Sequence, residues 1–196
     1  RAVELTAAGA LLLQAVAQAL PRIDTAVRQI RQSAGRRHVT VTTFASFASM
    51  WLIPRLEAFQ REFPDIDIRI EASDTMLDLE VADVDLAVRY APVTRVPTGA
   101  RRLFGESVTV MASPWLLKAG PALRRPADVL QYTLIESGDA YAPHLAWLSW
   151  HRWLEANDLA KQQPKRWLTL NYAYQMVQAA LTGQGLVLAR PPLVAD

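Results

Sequence analysis

The apolar and polar positions of residues 39–90 predict a strand, a helix, a second strand, a second helix and a third strand. Residues 39–44 are almost all β-branched, which favours a strand, and residues 51–63 carry apolar side chains at the spacing of an amphipathic helix. Residues 66–70 alternate isoleucine with charged side chains, and residues 85–90 form a third apolar run. Strands that alternate with helices pair in parallel through right-handed crossovers, so the pattern predicts an α/β fold.

The chain before this segment predicts a long helix with an apolar seam. The helix is expected over residues 6–34, with Thr6 as its N-cap and with Pro21 as a point where it kinks or divides. The seam repeats at alternating spacings of four and three residues, which is the heptad pattern of helices that pair with one another. An ordinary amphipathic helix packed on its own domain is the alternative interpretation. The candidate dimerisation residues are Leu12, Val16, Ala19, Ile23, Ala26 and Ile30.

The second half of the chain repeats the alternation with shorter elements. Strands are predicted at residues 107–112, 132–136, 167–170 and 186–189. Helices are predicted to begin at Pro114 and to span residues 126–130 and 172–182. In the first half of the chain, the helix between the second and third strands is predicted to begin at Met76. Asn171 stands where an N-cap would start the helix over residues 172–182. Trp147, Trp150 and Trp153 fall on one helical face, and an aromatic stripe at that spacing is far more often core than a cofactor site.

Composition limits the function classes. At 196 residues the chain can bury a core of one domain or two small ones, and its apolar stretch at residues 7–13 is too short for a transmembrane helix. It has no cysteine, which excludes disulfides and thiolate metal sites and fits a reducing cytoplasm. The net charge of +2 is too small to argue for nucleic-acid binding by the whole chain. Five arginines do stand against one acid over residues 22–37, and a DNA-facing patch or a solvated helix face explains that run equally well.

The sequence gives little support for catalysis. It has no G-x-S-x-G, H-E-x-x-H or phosphate-loop motif. Asp83 and Asp85 flank a predicted strand, where surface groups or partners of Arg89 are a better interpretation than an acid–base pair. His144 and His151 have no third ligand near them in the sequence, so zinc is not expected. We therefore expect a binding module rather than an enzyme, with no cofactor, no metal ion and no catalytic residues.

A resemblance to a known family rests on residues 41–90. Their motifs "WLIPRL" and "VDLAVRY" resemble the effector-binding domain of LysR-type transcriptional regulators, in the branch that holds the glycine-cleavage activators and β-lactamase regulators. The resemblance implies two periplasmic-binding-protein-like α/β subdomains, with crossovers near residues 108–111 and 187–190 as a hinge and an effector cleft between them. It also implies that the long helix dimerises, and that residues 51–63 of one subunit contact residues 172–182 of another, which would allow tetramers.

The resemblance also assigns domain limits. It implies a wing remnant at 1–5, a linker and dimerisation helix at 6–37, subdomain I at 38–106, subdomain II at 107–190 and a return towards subdomain I at 191–196. The winged helix-turn-helix that reads DNA and the rest of subdomain I are expected outside the chain. The chain alone should then bind DNA only weakly, without sequence preference and with strong salt dependence.

The candidate effector residues share one property: they lie at or just beyond the carboxyl ends of predicted strands. Open parallel sheets bind ligands there, and hydroxyls and helix N-termini can hold a small anion or zwitterion. Arg89 would supply charge to a carboxylate and Tyr172 or Phe47 would cover an apolar part, which favours an amino acid or another small organic acid. Helix capping and an ion pair of Arg89 are the alternative roles. The candidates are Thr43, Ser46, Phe47, Ser73, Arg89 and Tyr90, facing Ser137, Asn171 and Tyr172.

Two binding functions fit these features. The first is a bacterial, cytoplasmic LysR-type regulator that senses a small effector, binds DNA through its helix-turn-helix and forms a homodimer or homotetramer. The alternative is an extracytoplasmic solute-binding protein of a transport system, which shares the two-lobed architecture and closes on its ligand by a hinge. The arginine-rich dimerising helix favours the regulator.

Overall fold

The computed structural model describes residues 5–32, 37–73, 84–91, 94, 96–138 and 146–194. The chain divides into two compact units. The first unit comprises Arg1–Phe44 and Leu56–Arg89, and the second comprises Ala45–Arg55 and Tyr90–Asp196. Within the described residues, no helix combines the length and the apolar character needed to cross a membrane. The domain limits expected from the sequence stay predictions.

Helix α1 (Ala7–Gln32) matches the predicted long helix. The Gly9 N–H donates to Thr6 Oγ1 at 3.1 Å, which confirms Thr6 as the N-cap. Pro21 lies inside the helix and does not divide it. The five seam residues up to Ala26 are exposed, and the side chain of Ile30 lies outside the described part. Other large apolar residues of α1 are also exposed, namely Leu11, Leu13, Leu20 and Val27.

The first unit holds a three-stranded sheet in the order β2-β1-β3. Strands β1 (Arg37–Thr43), β2 (Ile66–Ala72) and β3 (Leu86–Ala87) are all parallel, which confirms the predicted pairing. The third strand is shorter than the predicted run of residues 85–90. Backbone bonds from the N–H groups of Asp85 and Val88 to β1 flank the two paired residues.

The helix after β1 begins earlier than predicted. Helix α2 (Ala45–Phe47) leads through a π-helical turn at Ala48–Leu52 into α3 (Ile53–Glu62). The apolar spacing in the sequence predicts a helix only from residue 51. The second predicted helix, from Met76, lies outside the described residues.

The second unit holds a four-stranded sheet in the order β4-β7-β5-β6. Its strands lie where the sequence predicts them: β4 at Thr109–Met111, β5 at Thr133–Ser137, β6 at Arg166–Leu170 and β7 at Leu186–Ala189. Strand β5 is parallel to both β6 and β7, whereas β4 runs antiparallel to β7. The side chains of β7 are all buried, so this strand lies in the core of the unit.

Besides α2, the second unit contains the helices α4 (Pro114–Ala119), α5 (Trp150–Ala156), α6 (Ala173–Leu181) and α7 (Pro191–Val194), with 3₁₀ turns at Pro126–Gln131 and Ala146–Leu148. Their positions fix the core. Trp150 is fully buried, its indole N–H donates to the Ile135 carbonyl at 2.9 Å, and it packs edge-to-face on Trp153. The interpretation of these two tryptophans as core residues is therefore confirmed.

Two details of the prediction are wrong. Trp147 does not share the face of α5, because Ser149 Oγ caps that helix by accepting from the Arg152 N–H, and Trp147 lies in the separate 3₁₀ turn. Asn171 is not the N-cap of α6. Tyr172 holds the N-cap position in an extended conformation, and its own side chain makes no capping hydrogen bond to the helix.

Candidate functional site

In the first unit, the carboxyl ends of the strands are joined by one arginine. Arg89, just beyond β3, donates from Nη1 to the Ser73 carbonyl at 2.8 Å and from Nη2 to Thr42 Oγ1 at 2.7 Å. The Thr42 hydroxyl in turn donates to the Glu71 carbonyl at 3.1 Å. A guanidinium presents several fixed donors, so it can bind two strands at once. Arg89 therefore ties the ends of β1 and β2 together.

Thr43 is the last residue of β1 and is fully buried. Its carbonyl accepts from the Ser73 N–H at 2.8 Å, so it lies beside the residue that follows β2. Its hydroxyl oxygen is shielded from solvent and has no hydrogen-bond partner among the described residues. Buried hydroxyls are nearly always bonded, and leaving one without a partner costs about 1–3 kcal/mol. The structure thus brings Thr43, Ser73 and Arg89 together, as predicted from the strand ends.

The neighbours of Arg89 bear on the alternative role suggested for it. Its guanidinium carbon lies 5.2 Å from the centre of the Phe44 ring, a cation–π contact. The Asp85 carboxylate, one suggested partner, accepts from the Thr40 N–H at 2.8 Å. Asp83, the other, lies outside the described residues. The bonds of Arg89 to Thr42 and Ser73 fix the sheet end, and its suggested ion pair stays a prediction.

In the second unit, Ser46 caps a helix that is distant in sequence. The buried Ser46 hydroxyl accepts a bond from the Tyr174 N–H at 3.3 Å, in the first turn of α6. The rings of Tyr172 and Tyr174 stack at 5.5 Å beside this contact. The structure thus joins Ser46 to the start of α6, where Tyr172 was predicted to act. The N-terminus of such a helix favours a negative charge.

Phe47 packs against neighbouring aromatic rings, and its predicted contact with an effector stays a prediction. It is buried and stacks on Trp51, with ring centres 5.0 Å apart, and on Phe104 at 6.2 Å. Arg55 lies over the Trp51 ring, with its guanidinium carbon 4.8 Å from the ring centre. Phe47 is therefore part of an aromatic cluster of the second unit, which the sequence did not indicate.

Ser137 and Asn171 stand at the adjacent carboxyl ends of β5 and β6, which the register pairs as Ser137 with Leu170. The Gly138 N–H donates to the Leu170 carbonyl at 2.9 Å. A Cβ on Gly138 would lie 3.1 Å from Asn171 Oδ1, so a larger residue there would displace that amide. The two predicted polar residues are therefore brought together within the second unit.

Tyr90 lies in a cluster that includes two residues absent from the sequence prediction. The centres of the Tyr90 and Trp147 rings are 5.8 Å apart. Burial raises the pKa of Tyr90, and the negative charge of Glu106 raises that pKa further. Arg190 Nη1 and Glu106 Oε1 are 3.4 Å apart. Burial also raises the pKa of Glu106, against the opposing charge of Arg190. The available signal was a charged residue three residues before β4 and another directly after β7.

Metal binding has no support among the residues that the structure describes. No three His, Asp or Glu side chains in those ranges form a group that could hold a metal ion. His151 instead pairs with Glu155 one helical turn away, at 3.0 Å.

Comparison with known proteins gives the class of protein. The family model described as the LysR substrate binding domain matches residues 32–196, and the chain belongs to that family. The two units are thus an α/β fold of the periplasmic-binding-protein-like, two-subdomain kind, which confirms the predicted fold class. The effector domain of the transcriptional regulator AmpR of Pseudomonas aeruginosa has a TM-score of 0.58 and 31% identity, over 81% of this chain and 72% of that one.

Particular relatives are transcription factors. The glycine cleavage system transcriptional activator of Escherichia coli (strain K12) is 30% identical over 189 residues, which are 96% of this chain and 60% of that protein. The HTH-type transcriptional activator AmpR of Pseudomonas aeruginosa is 30% identical over 196 residues, which are 100% of this chain and 63% of that protein. The chain thus spans between 60% and 63% of the length of these two curated relatives.

Proposed function

We propose that the chain is the effector-sensing part of a LysR-type transcriptional regulator that works in the cytoplasm. The family of residues 32–196 and the names of the relatives support this proposal. DNA recognition is assigned to a winged helix-turn-helix outside the chain, since the relatives are longer and one of them is named as an HTH-type activator. The chain itself acts by binding, and it catalyses no reaction.

The observation that carries the proposal is the polar group at the strand ends of the first unit. Thr43 offers a hydroxyl that the described residues leave without a partner, and Arg89 holds Ser73 beside it. Such strand ends are where open α/β sheets bind ligands. Their hydroxyls and N–H groups suit a small anion or zwitterion, and the proposed effector is an amino acid or another small organic acid.

The second unit by itself holds the other predicted effector residues. Ser46 and Tyr172 stand at the N-terminus of α6, and Ser137 and Asn171 stand at the ends of β5 and β6. Tyr90 belongs to the aromatic and charged group beside Trp147. Phe47 is proposed to act only through packing, because its ring is enclosed by Trp51 and Phe104.

Self-association through α1 forms part of the proposal. Apolar side chains such as Leu12, Val16 and Ile23 are 66%, 40% and 58% exposed. A helix with this much exposed apolar surface gains stability by pairing, and the heptad spacing suits a second copy of the same helix. The proposed assembly is a homodimer, which a contact between α3 and α6 of different subunits would extend to a tetramer.

A transport function is the alternative. Solute-binding proteins share the two-subdomain architecture, so the fold alone does not distinguish the two. The names of the relatives reported above favour the regulator.

A thermal-shift screen tests the proposal. Amino acids, organic acids and cell-wall peptides are added to the protein, and the melting temperature Tm is recorded. A ligand at a hundredfold its Kd should stabilise the fold by about 2.7 kcal/mol. At roughly 2–4 °C per kcal/mol, that gives a rise in Tm of about 5–10 °C. The proposal fails if no compound of these three classes raises the Tm.

A further inference from the structure

The charged residues of the chain are unevenly distributed between its two units. The second unit contains twelve lysines and arginines against seven aspartates and glutamates, whereas the first contains nine against twelve. The small net charge of the whole chain therefore conceals a basic second unit. An excess of positive charge favours anionic partners wherever it is concentrated on one surface.

Four basic residues of the second unit lie at the amino ends of strands β5 and β6. We call them the basic edge: Arg124, Arg125, Lys165 and Arg166. Arg166 begins β6 and is the register partner of Thr133, the first residue of β5. The Lys165 N–H donates to the Leu130 carbonyl at 2.7 Å, near the end of the 3₁₀ turn Pro126–Gln131. Lys165 and Arg166 are thus fixed beside one end of that turn.

The other two members of the basic edge directly precede the same turn. The N–H groups of Arg124 and Arg125 donate to Asp128 Oδ2 at 2.9 and 2.8 Å. The Gln131 side chain donates to Asp128 Oδ1 at 3.5 Å, so one carboxylate fixes the start of the turn and contacts its end. A 3₁₀ turn of six residues is about 12 Å long. The two pairs of cations are therefore held about this far apart on one surface.

The charges of the basic edge are exposed and largely unpaired. All four residues are exposed to solvent. Arg125 Nη2 lies 3.6 Å from Asp128 Oδ1, and Asp128 is buried beneath it. In the ranges that the structure describes, Arg124, Lys165 and Arg166 form no ion pair. The basic edge thus presents positive charge that its own unit does not neutralise.

We infer that the basic edge binds the phosphate backbone of duplex DNA without reading its sequence. Duplex DNA carries one negative charge per about 1.7 Å of helix axis, so several phosphates lie within the length of the turn. Exposed lysines and arginines supply such contacts. An acidic protein fits less well, because the centre of a protein interface is depleted of charged residues and the basic edge consists of them.

The basic edge lies away from the candidate effector residues of the same sheet. Ser137 ends β5 and Asn171 follows β6, whereas the basic edge lies at the amino ends of these strands. Strands of five residues are about 17 Å long. The inference goes beyond the proposed effector function, and its test does not require the effector to be known.

Fluorescence anisotropy of a labelled duplex of random sequence, recorded at several NaCl concentrations, measures the binding. Lys165→Gln with Arg166→Gln removes two phosphate contacts. The double variant should bind roughly tenfold or more weakly at low salt, and the slope of log K against log [NaCl] should become shallower by about 1.8. Arg61→Gln with Arg152→Gln removes the same charge from exposed ion pairs elsewhere and should leave affinity and slope unchanged.

The arginine run of residues 22–37 is a competing source of DNA binding. Arg28→Gln with Arg31→Gln measures its share, and complete loss of binding in this variant would overturn the inference. Circular dichroism checks the folding of each variant. If the double variant at Lys165 and Arg166 does not fold, Arg124→Gln replaces it and should make the slope shallower by about 0.9. An unchanged slope in the first variant that folds, or no binding at low salt, would also overturn the inference.

A second titration distinguishes DNA from an acidic protein. The protein is labelled with ¹⁵N, and the indole N–H signal of Trp167, the neighbour of Arg166 and 42% exposed, is assigned by its loss in Trp167→Phe. The duplex and polyglutamate are titrated separately at equal ionic strength. The expected result is a saturable shift of the Trp167 signal at a lower concentration of negative charge for the duplex than for polyglutamate. A shift that polyglutamate produces at an equal or lower concentration of charge would contradict the assignment to DNA and indicate an acidic protein partner.

Discussion

The hydroxyl oxygen of Ser46 accepts a hydrogen bond from the backbone N–H of Tyr174 at 3.3 Å, across 128 residues of sequence. Helix α6 is therefore capped by a side chain from α2 instead of by its own N-cap residue, Tyr172. A buried hydroxyl at a helix N-terminus satisfies one of the free N–H groups of the first turn. The same residue is a candidate effector contact, so Ser46 has a structural role before any ligand binds.

Replacing Ser46 with alanine should destabilise the protein by about 1 kcal/mol, the usual cost of losing a helix cap. Urea unfolding followed by circular dichroism measures the difference. Ser49→Ala, at an exposed position three residues further on, is the matched control and should stay close to the wild type. Equal stability of the two variants would show that the bond to Tyr174 contributes nothing.

Replacing Arg89 with alanine should destabilise the protein by about 2–3 kcal/mol. Each of its charged hydrogen bonds, to Thr42 and to Ser73, contributes about 1.5–3 kcal/mol. The total loss is smaller than the sum because water partly replaces these bonds. Arg89→Lys should fall between, since an ammonium cannot span both acceptors as a guanidinium does. Arg61→Ala, with a side chain 76% exposed, is the control. Denaturant midpoints for the three variants decide the matter, and an Arg89→Ala midpoint equal to that of the control would contradict the assigned role.

Self-association should depend on the seam of α1. The double replacement of Val16 and Ile23 with aspartate places charge in a helix pair and should dissociate the dimer, at a cost of several kcal/mol. Light scattering coupled to size-exclusion chromatography should show the mass of one chain. Gln14→Asp with Gln18→Asp adds the same charge to the helix at residues outside the seam and should leave the dimer intact. An unchanged mass of the seam variant would sink the proposed dimer.

Asp128 should make stability depend on pH. Its carboxylate accepts from the N–H groups of Arg124 at 2.9 Å and Arg125 at 2.8 Å, and these bonds lower its pKa. A lowered pKa in the folded state stabilises the protein above the ordinary pKa of about 3.9, and this stabilisation is lost as the pH falls through the folded value. Asp128→Asn should therefore be less stable than the wild type at pH 7 and nearly equal to it in acid. Urea midpoints at pH 7 and pH 3 test this, and a constant difference would contradict it.

Elements set by local periodicity could be predicted from the sequence. The heptad spacing of α1, the alternation in β2 and the buried run of β7 each follow from a repeat of three to four residues or of two residues. The parallel order of the first sheet followed from the alternation of strands with helices. These features depend on neighbours in the sequence, which a single chain displays directly.

Features set by distant contacts could not be predicted in this way. Asn171 has the side chain of a good N-cap, yet α6 is capped from Ser46. Trp147 has the spacing of a helical stripe, yet Ser149 starts α5 after it. Glu106 pairs with Arg190, which is 84 residues away in the sequence. The choice of strand ends as the candidate site stays a prediction, whose individual residues only binding data can test.

Thr43 offers the most direct test of the proposed site, because its hydroxyl is buried and has no hydrogen-bond partner among the described residues. Thr43→Val keeps the shape of the side chain and removes that hydroxyl. Loss of an unsatisfied polar group should leave the stability of the free protein unchanged or raise it. Loss of an effector contact should weaken binding by about 1–1.5 kcal/mol, or roughly tenfold in Kd.

The decisive measurement is isothermal titration of the best ligand from the thermal-shift screen into the wild type, Thr43→Val and Thr109→Val, an exposed threonine of β4 that serves as control. The account predicts a Kd about tenfold weaker for Thr43→Val, a wild-type Kd for Thr109→Val and no loss of Tm in the free Thr43 variant. A Thr43→Val protein that binds the ligand as tightly as the wild type would contradict the assignment of the effector site to the end of β1.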